Sequence, residues 1–103
     1  MIEYFHPIKV YYRDIDKMGI VYYSRYFEYF EESRTELFAS IGLHITNIEQ
    51  EGIKLPVISC HCDFKKGAKF EDVLIIRSWL NERPRSTLKI SYMVELKKTN
   101  ELL

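Results

Sequence analysis

Between positions 12 and 31 the chain reads Tyr-Arg-Asp-Ile-Asp-Lys-Met-Gly-Ile-Val-Tyr-Tyr-Ser-Arg-Tyr-Phe-Glu-Tyr-Phe-Glu. Two carboxylates, Asp14 and Asp16, precede a glycine, Gly19, and a run with helical spacing begins a few residues later. The first turn of a helix carries backbone N–H groups with no partner inside the helix, and a partial positive charge. Such an end can hold a developing oxyanion. A carboxylate a few residues upstream can reach the same reacting atom, as nucleophile or as the base that activates water. The combination suits acyl transfer. The same pattern also serves plain structure, since Asp-x-Asp before a glycine commonly stabilises a turn and aspartates near a helix start complement its dipole.

The elements that must position these groups follow from periodicity. Residues Ile2 to Asp14 are rich in β-branched and aromatic types, with Tyr4, Ile8, Val10 and Tyr12 on one parity. They predict a strand with Pro7 near its start or on an edge. From Tyr23 to Ile41 the apolar spacing becomes three and four, through Tyr23, Tyr26, Phe27, Phe30, Leu37, Phe38 and Ile41. That predicts one amphipathic helix of about five turns, with Glu28, Glu31, Glu32 and Glu36 on its other side. Ser24 is the expected N-cap and Gly42 the stop. After a loop containing Gly52 and Pro56, strands are expected over Pro56–Lys65, Asp72–Asn81 and Thr87–Lys97. Short connections between them favour antiparallel pairing. The implied fold class is α+β: one curled antiparallel sheet around one long helix, in a single domain covering 1–103.

Composition bounds the rest. The 103 residues are 47% hydrophobic and 15% aromatic, which is globular and not disordered. Fifteen basic residues balance fifteen acidic ones, so nothing pulls the chain as a whole toward nucleic acid or an anionic membrane. No apolar run approaches the roughly 20 residues of a membrane span, and the N-terminus lacks the pattern of a secretory signal. The default expectation is a soluble cytoplasmic protein. The two cysteines, Cys60 and Cys62, are two residues apart and read as buried free thiols in a reducing compartment. With His61 on the opposite face of an extended strand they do not make a zinc site, and no metal or other cofactor is expected. His6, His44 and His61 have no partner at a telling spacing and read as structural or surface residues.

The stretch from Val10 to Gly42 resembles, in register, the signature of the 4-hydroxybenzoyl-CoA thioesterase family of hotdog proteins, including its branch associated with the bacterial Tol-Pal envelope system. Asp-x-Asp, Gly19, Val21, Tyr22, Tyr23, Tyr26 and the Glu31/Arg34 pair all match. The similarity continues more loosely through Leu55-Pro56-Val57, Asp63-Phe64, Asp72 and the Arg83 to Ser86 segment. The resemblance implies hydrolysis of an acyl-CoA thioester by a homodimer or homotetramer with its site at a subunit interface. It places the catalytic carboxylate on Asp16, leaves Asp14 a structural role bonding turn amides, and puts the oxyanion donor on the backbone N–H of Tyr23. Gly19, Ile20, Val21 and Tyr22 would line the substrate. Whether Asp16 attacks directly or acts through water stays open.

Arg83, Pro84, Arg85 and Ser86 form a basic turn, with Lys65, Lys66 and Lys69 in an earlier one. Arginine forks match phosphate oxygens, so Arg83, Arg85 and Ser86 are candidates to grip the nucleotide end of coenzyme A; the plain alternative is a solvated hairpin. Two other functions compete with hydrolysis. One is a non-catalytic acyl-binding or scaffold subunit. The other is an acyl-CoA dehydratase, which would need an Asp/His pair absent from this stretch. The final residues, Asn100-Glu101-Leu102-Leu103, fall where the resembled family begins a further strand, so the sheet is expected to be short at that end.

Overall fold

The computed structural model describes residues 2–52, 60–80 and 89–103. Three strands, β1 (Ile2–Lys9), β2 (Val73–Leu80) and β3 (Ile90–Leu96), form an antiparallel sheet in the order β1-β2-β3. One long helix, α1 (Tyr23–Ser40), and one short helix, α2 (Ile45–Gln50), complete the regular structure.

Alternation on the strands decides which face α1 covers. In β2, Leu74, Ile76, Ser78 and Leu80 are buried, while the residues between them are less so. Their partners across the sheet continue the same face: Ile8 opposite Leu74, and Val94 opposite Ile76. Tyr26, Tyr29, Phe30, Leu37 and Phe38 of α1 are the buried helix residues that meet this face. Ser33 on α1 donates to Ser78 on β2 at 3.1 Å, which gives each of these two fully buried hydroxyls a partner. Phe30 stacks on Tyr92 of β3, with ring centroids 4.5 Å apart.

Several expectations need correction. The first strand does not run to Asp14. It ends at Lys9, and Tyr12–Asp14 form a 3₁₀ turn, because the Tyr11 N–H turns to Asp14 Oδ2 at 3.0 Å instead of to a neighbouring strand. Ser24 is not the N-cap; it lies inside α1, whose N-cap is Tyr22. The segment after Gly42 contains α2, where only a loop was expected. The strand expected over 56–65 is absent from its described part, 60–65, and residues 56–59 lie outside the described residues. Cys60 is exposed and Cys62 half-buried, so the two thiols are not a buried pair; both are free, and burial pushes the Cys62 thiol up. The other strands match where they are described: of the expected residues Asp72, Lys89 and Lys97 lie outside β2 and β3, and Asn81 and residues 87–88 lie outside the described residues. Gly42 ends the helix as expected, with φ of +82°.

The last residues turn back onto β3. Leu102 makes an antiparallel bridge to Glu95, and the Leu103 N–H donates to the Val94 carbonyl at 2.9 Å. The Leu103 carbonyl in turn accepts the Lys65 N–H at 2.7 Å. Segment 64–68 is thereby tied to the sheet beyond β3.

Candidate active site

Asp14 and Asp16 are two residues apart but occupy different environments. Asp14 is 4% exposed. Its side chain accepts the Tyr11 N–H, and its carbonyl accepts the Tyr22 N–H at 3.0 Å. Arg25 and Arg13 place guanidinium nitrogens 3.9 Å and 3.8 Å from its carboxylate. Asp14 therefore ties the end of the first strand region to the residue that starts α1. Tyr29 lies close by: burial, then the Asp14 charge, pushes its phenol well above the usual tyrosine value.

Asp16 is half-exposed. Its Oδ1 accepts the Met18 N–H at 2.8 Å, its carbonyl accepts the Gly19 N–H at 3.0 Å, and its own N–H donates to the Ile20 carbonyl at 2.9 Å. These bonds close a tight turn around the carboxylate, and Gly19 at φ +80° supplies the left-handed residue the turn needs. The arrangement fixes one carboxylate oxygen inside the turn. The turn is held from outside by segment 64–68. Val21 donates to the Ala68 carbonyl at 2.8 Å, and Ile20 bridges to Lys69. Gly67 is needed for this approach, since a Cβ there would stand 2.7 Å from Ile20 Cγ2.

The start of α1 faces the same turn. Tyr22, the N-cap, has extended backbone and offers no side-chain cap, so the first helical amides, beginning with Tyr23, are left without a side-chain acceptor. The Tyr22 and Tyr23 rings lie 4.4 Å apart with their hydroxyls 3.2 Å apart. That hydrogen bond, followed by the Tyr23 charge, raises the Tyr22 phenol; a smaller contribution comes from Asp16.

Asp16, Ile20, Val21, Tyr23, Tyr26, Phe64, Lys65, Lys66 and Gly67 line one cleft of about 240 Å³. The structure thus brings together four of the expected site residues, Asp16, Ile20, Val21 and Tyr23. Gly19 shapes the turn from behind, and Tyr22 sits beside the cleft against Tyr23. Arg83, Arg85 and Ser86 lie outside the described residues. Tyr26 had been read as an aromatic of the helix face and a match to the resembled signature, and Phe64 as part of the looser resemblance and of an expected strand, neither as a site residue. The signal for Phe64 was its place two residues before the Lys66-Gly67 step that approaches Ile20. A larger hollow, about 370 Å³, lies on the exposed side of α1 among Glu28, Glu31, Glu32 and Glu36. Four like charges make it a poor receptor for an anionic ligand. Among the described residues, no cluster of His, Cys, Asp and Glu could hold a metal ion.

The thioesterase-like superfamily model matches residues 10–102. This chain belongs to that superfamily. A thioesterase-like identity fits the architecture: its structural neighbours have the hotdog fold, and the long helix on an antiparallel sheet is that fold's central feature. A putative esterase of Aquifex aeolicus is 34% identical over 84% of this chain and 67% of its own length. The acyl-CoA thioesterase YbgC of Haemophilus influenzae is 31% identical over 80% of this chain and 61% of its own length. Among solved structures, the DHNA-CoA thioesterase of Staphylococcus aureus superposes with a TM-score of 0.92 at 26% identity, covering 99% of this chain and 68% of that one. The chain spans between 54% and 67% of the length of these two curated relatives and a third.

Proposed function

We propose that this thioesterase-like chain hydrolyses acyl-CoA thioesters, with Asp16 as the carboxylate that carries the chemistry. One observation supports this reading most: Asp16 and Tyr23, the first residue of an uncapped helix, line one cleft. A thioester carbonyl set against the Tyr23 N–H would have its developing negative charge met by that amide and by the positive end of α1. Asp16 then faces the carbonyl carbon. Water adds, the C–S bond breaks, and the products are a carboxylic acid and free coenzyme A thiol. If Asp16 acts as base it takes the proton of the attacking water; if it attacks first, water cleaves the resulting anhydride. The turn bond to Met18 holds one oxygen and leaves the other to act. Gly19, Ile20, Val21 and Tyr22 shape and flank the substrate site, and Arg83, Arg85 and Ser86 grip the phosphates of coenzyme A.

The same reading includes assembly. Small-molecule pockets commonly run about 300–1,000 Å³, and this cleft is smaller. Its lining exposes Tyr23 and Phe64, and Tyr22 stands exposed against Tyr23, an apolar border suited to a second subunit that completes the wall. We therefore propose a homodimer or a higher homo-oligomer. No described helix is long and apolar enough to cross a membrane, and the two free thiols fit a reducing compartment, which supports a cytoplasmic location.

Release of free thiol from a panel of short, long and aromatic acyl-CoAs tests the activity. Asp16→Asn keeps the size and the turn acceptor of the side chain. It should retain native circular dichroism and lose on the order of 10²–10⁴ in turnover. A variant that hydrolyses every thioester at the parent's rate rules Asp16 out.

A further inference from the structure

Among the described residues, Tyr29 carries the one buried side-chain polar atom without a hydrogen-bond partner. Tyr29 is 6% exposed, and beside its hydroxyl lies Asp14, also buried. Helical spacing brings the two together. Tyr22, Arg25 and Tyr29 stand three and four positions apart, on one face of α1 and its cap. That face meets Asp14 twice more: the Tyr22 N–H donates to the Asp14 carbonyl at 3.0 Å, and Arg25 Nε stands 3.9 Å from Asp14 Oδ1. Tyr29 is one helical turn beyond Arg25 and packs edge-on against Tyr26, with ring centroids 5.9 Å apart. Asp14 keeps an acceptor in reserve. Its Oδ2 accepts the Tyr11 N–H, but the guanidinium nitrogens nearest Oδ1 are 3.8 Å and 3.9 Å away, too far for a hydrogen bond. Burial, then the Asp14 charge, holds the Tyr29 phenol above its ordinary value, so it keeps its proton across the physiological range. A buried donor and a buried carboxylate thus lie side by side with the bond between them unmade, which is costly and uncommon.

We infer that Tyr29 is a positioning residue: its O–H bonds to Asp14 when the Asp14–Gly19 turn closes on substrate, and this fixes Asp16 against the Tyr23 amide. The inference rests on the proposed acyl-CoA hydrolysis. Asp14 and Asp16 belong to one turn, and the Asp14 carbonyl already holds the Tyr22 N–H at the start of α1. A shift of that turn toward the helix carries both aspartates with it. The bond then made joins a phenol to a carboxylate, and such bonds are stronger than those between neutral groups. In the free protein the donor stays unpaired, so the stabilisation appears only in the closed state. Closure matters because a reacting group out of place by about an ångström costs rate steeply. Tyr29 keeps its proton throughout and touches no reacting atom.

Tyr29→Phe tests this. It deletes one oxygen that has no partner in the free protein, so urea midpoints at neutral pH should equal or exceed the parent's. On the acyl-CoA that the parent cleaves fastest, kcat and kcat/KM should fall together by about ten- to a hundredfold. In an Asp14→Ala background the same replacement should cost no more than about twofold, because the two residues act as a unit. Unchanged turnover in Tyr29→Phe overturns the assignment. A rise in KM alone does so too, since it would put the hydroxyl in substrate binding. A lowered urea midpoint would make the hydroxyl part of the free fold, and the full loss of turnover in the Asp14→Ala background would give it another partner; either result overturns the assignment. If Asp14→Ala lacks native circular dichroism, the single replacement decides. All these outcomes leave the parent active. A parent that releases no thiol from any acyl-CoA defeats the activity reading itself, and this assignment falls with it.

Discussion

The two ends of α1 solve the same problem in opposite ways. At the C-terminal end Gly42 takes a left-handed conformation, the Gly42 N–H donates to the Ala39 carbonyl at 3.0 Å, and the Leu43 N–H donates to the Phe38 carbonyl at 2.8 Å. This paired closure satisfies the Phe38 and Ala39 carbonyls with backbone, and the Ser40 hydroxyl donates to the Leu37 carbonyl at 2.6 Å. Beneath it, Leu37, Phe38 and Leu80 form a buried cluster with Tyr4 and Ile90 against it. At the N-terminal end no side chain caps the helix, and Tyr22 and Tyr23 stand exposed. Beneath that end lies a buried carboxylate, Asp14, with the Tyr29 hydroxyl near it and unpaired among the described residues. One end is finished for stability. The other leaves its first amides without a side-chain acceptor, and Tyr23 there lines the same cleft as Asp16, the kind of local departure that the proposed site would require.

The contrast can be broken first at the closed end. Leu37 is fully buried, so Leu37→Ala should lower the unfolding free energy by about 2–5 kcal/mol in urea titrations, with turnover of the folded fraction unchanged. A fall in kcat under fully folded conditions would mean that the two ends are coupled and the contrast is false.

The open end can be sharpened by closing it. Tyr22 already has the extended backbone of an N-cap. Tyr22→Asn supplies the missing acceptor and should raise stability by about 1 kcal/mol. It should also lower thioester turnover, because a new acceptor beside the Tyr23 amide opposes the charge that develops there. Greater stability with undiminished activity would show that the helix start plays no part in the reaction.

A further effect, confined to alkaline solution, concerns pH. Tyr26 and Tyr29, both raised chiefly by burial, belong to the open end, and Tyr92, also raised by burial, lies on β3 against Phe30. The ordinary tyrosine value is 10.0. Above it the unfolded chain loses these protons while the folded chain keeps them, so the unfolded form binds fewer and stability falls as pH rises. Below about pH 10 these groups contribute no slope. The loss is at most about 1.4 kcal/mol per tyrosine one pH unit above the ordinary value. Urea midpoints from pH 8 to 11 should show this decline, shallower in Tyr29→Phe; an equal slope in parent and variant would place the alkaline sensitivity elsewhere.

Much of the frame was legible in the order of residues. The three-and-four spacing from Tyr23 marked α1 within a residue of its observed end, and Gly42 marked its stop, because both depend on contacts a few residues long. The alternation of β2 and β3 was legible for the same reason. The Asp14–Gly19 turn could be recognised, and so could its nearness to a helix start, since every bond that shapes it lies within a few positions. Ser24 misled because a good capping side chain says nothing of where tertiary contacts begin the helix. Here the Asp14 carbonyl takes the Tyr22 N–H and sets the start at Tyr23.

What sequence order determined by itself was therefore the helix, the turn and the two differently placed aspartates as candidates. What only the tertiary structure decided was which residues share a cleft. Lys65, Lys66 and Gly67 read as part of a separate turn, and Phe64 as part of a strand. Their place opposite Asp16 comes from long-range backbone bonds, Val21 to Ala68 and Lys65 to Leu103, and from Gly67 letting Ile20 approach. Such bonds join positions tens of residues apart, and no local periodicity encodes them. Burial had the same origin: residues 60–62 carry strand-like types, yet they run from an exposed thiol to a half-buried one outside the sheet, and the segment's backbone bonds to the chain end come only at Lys65 and Lys66.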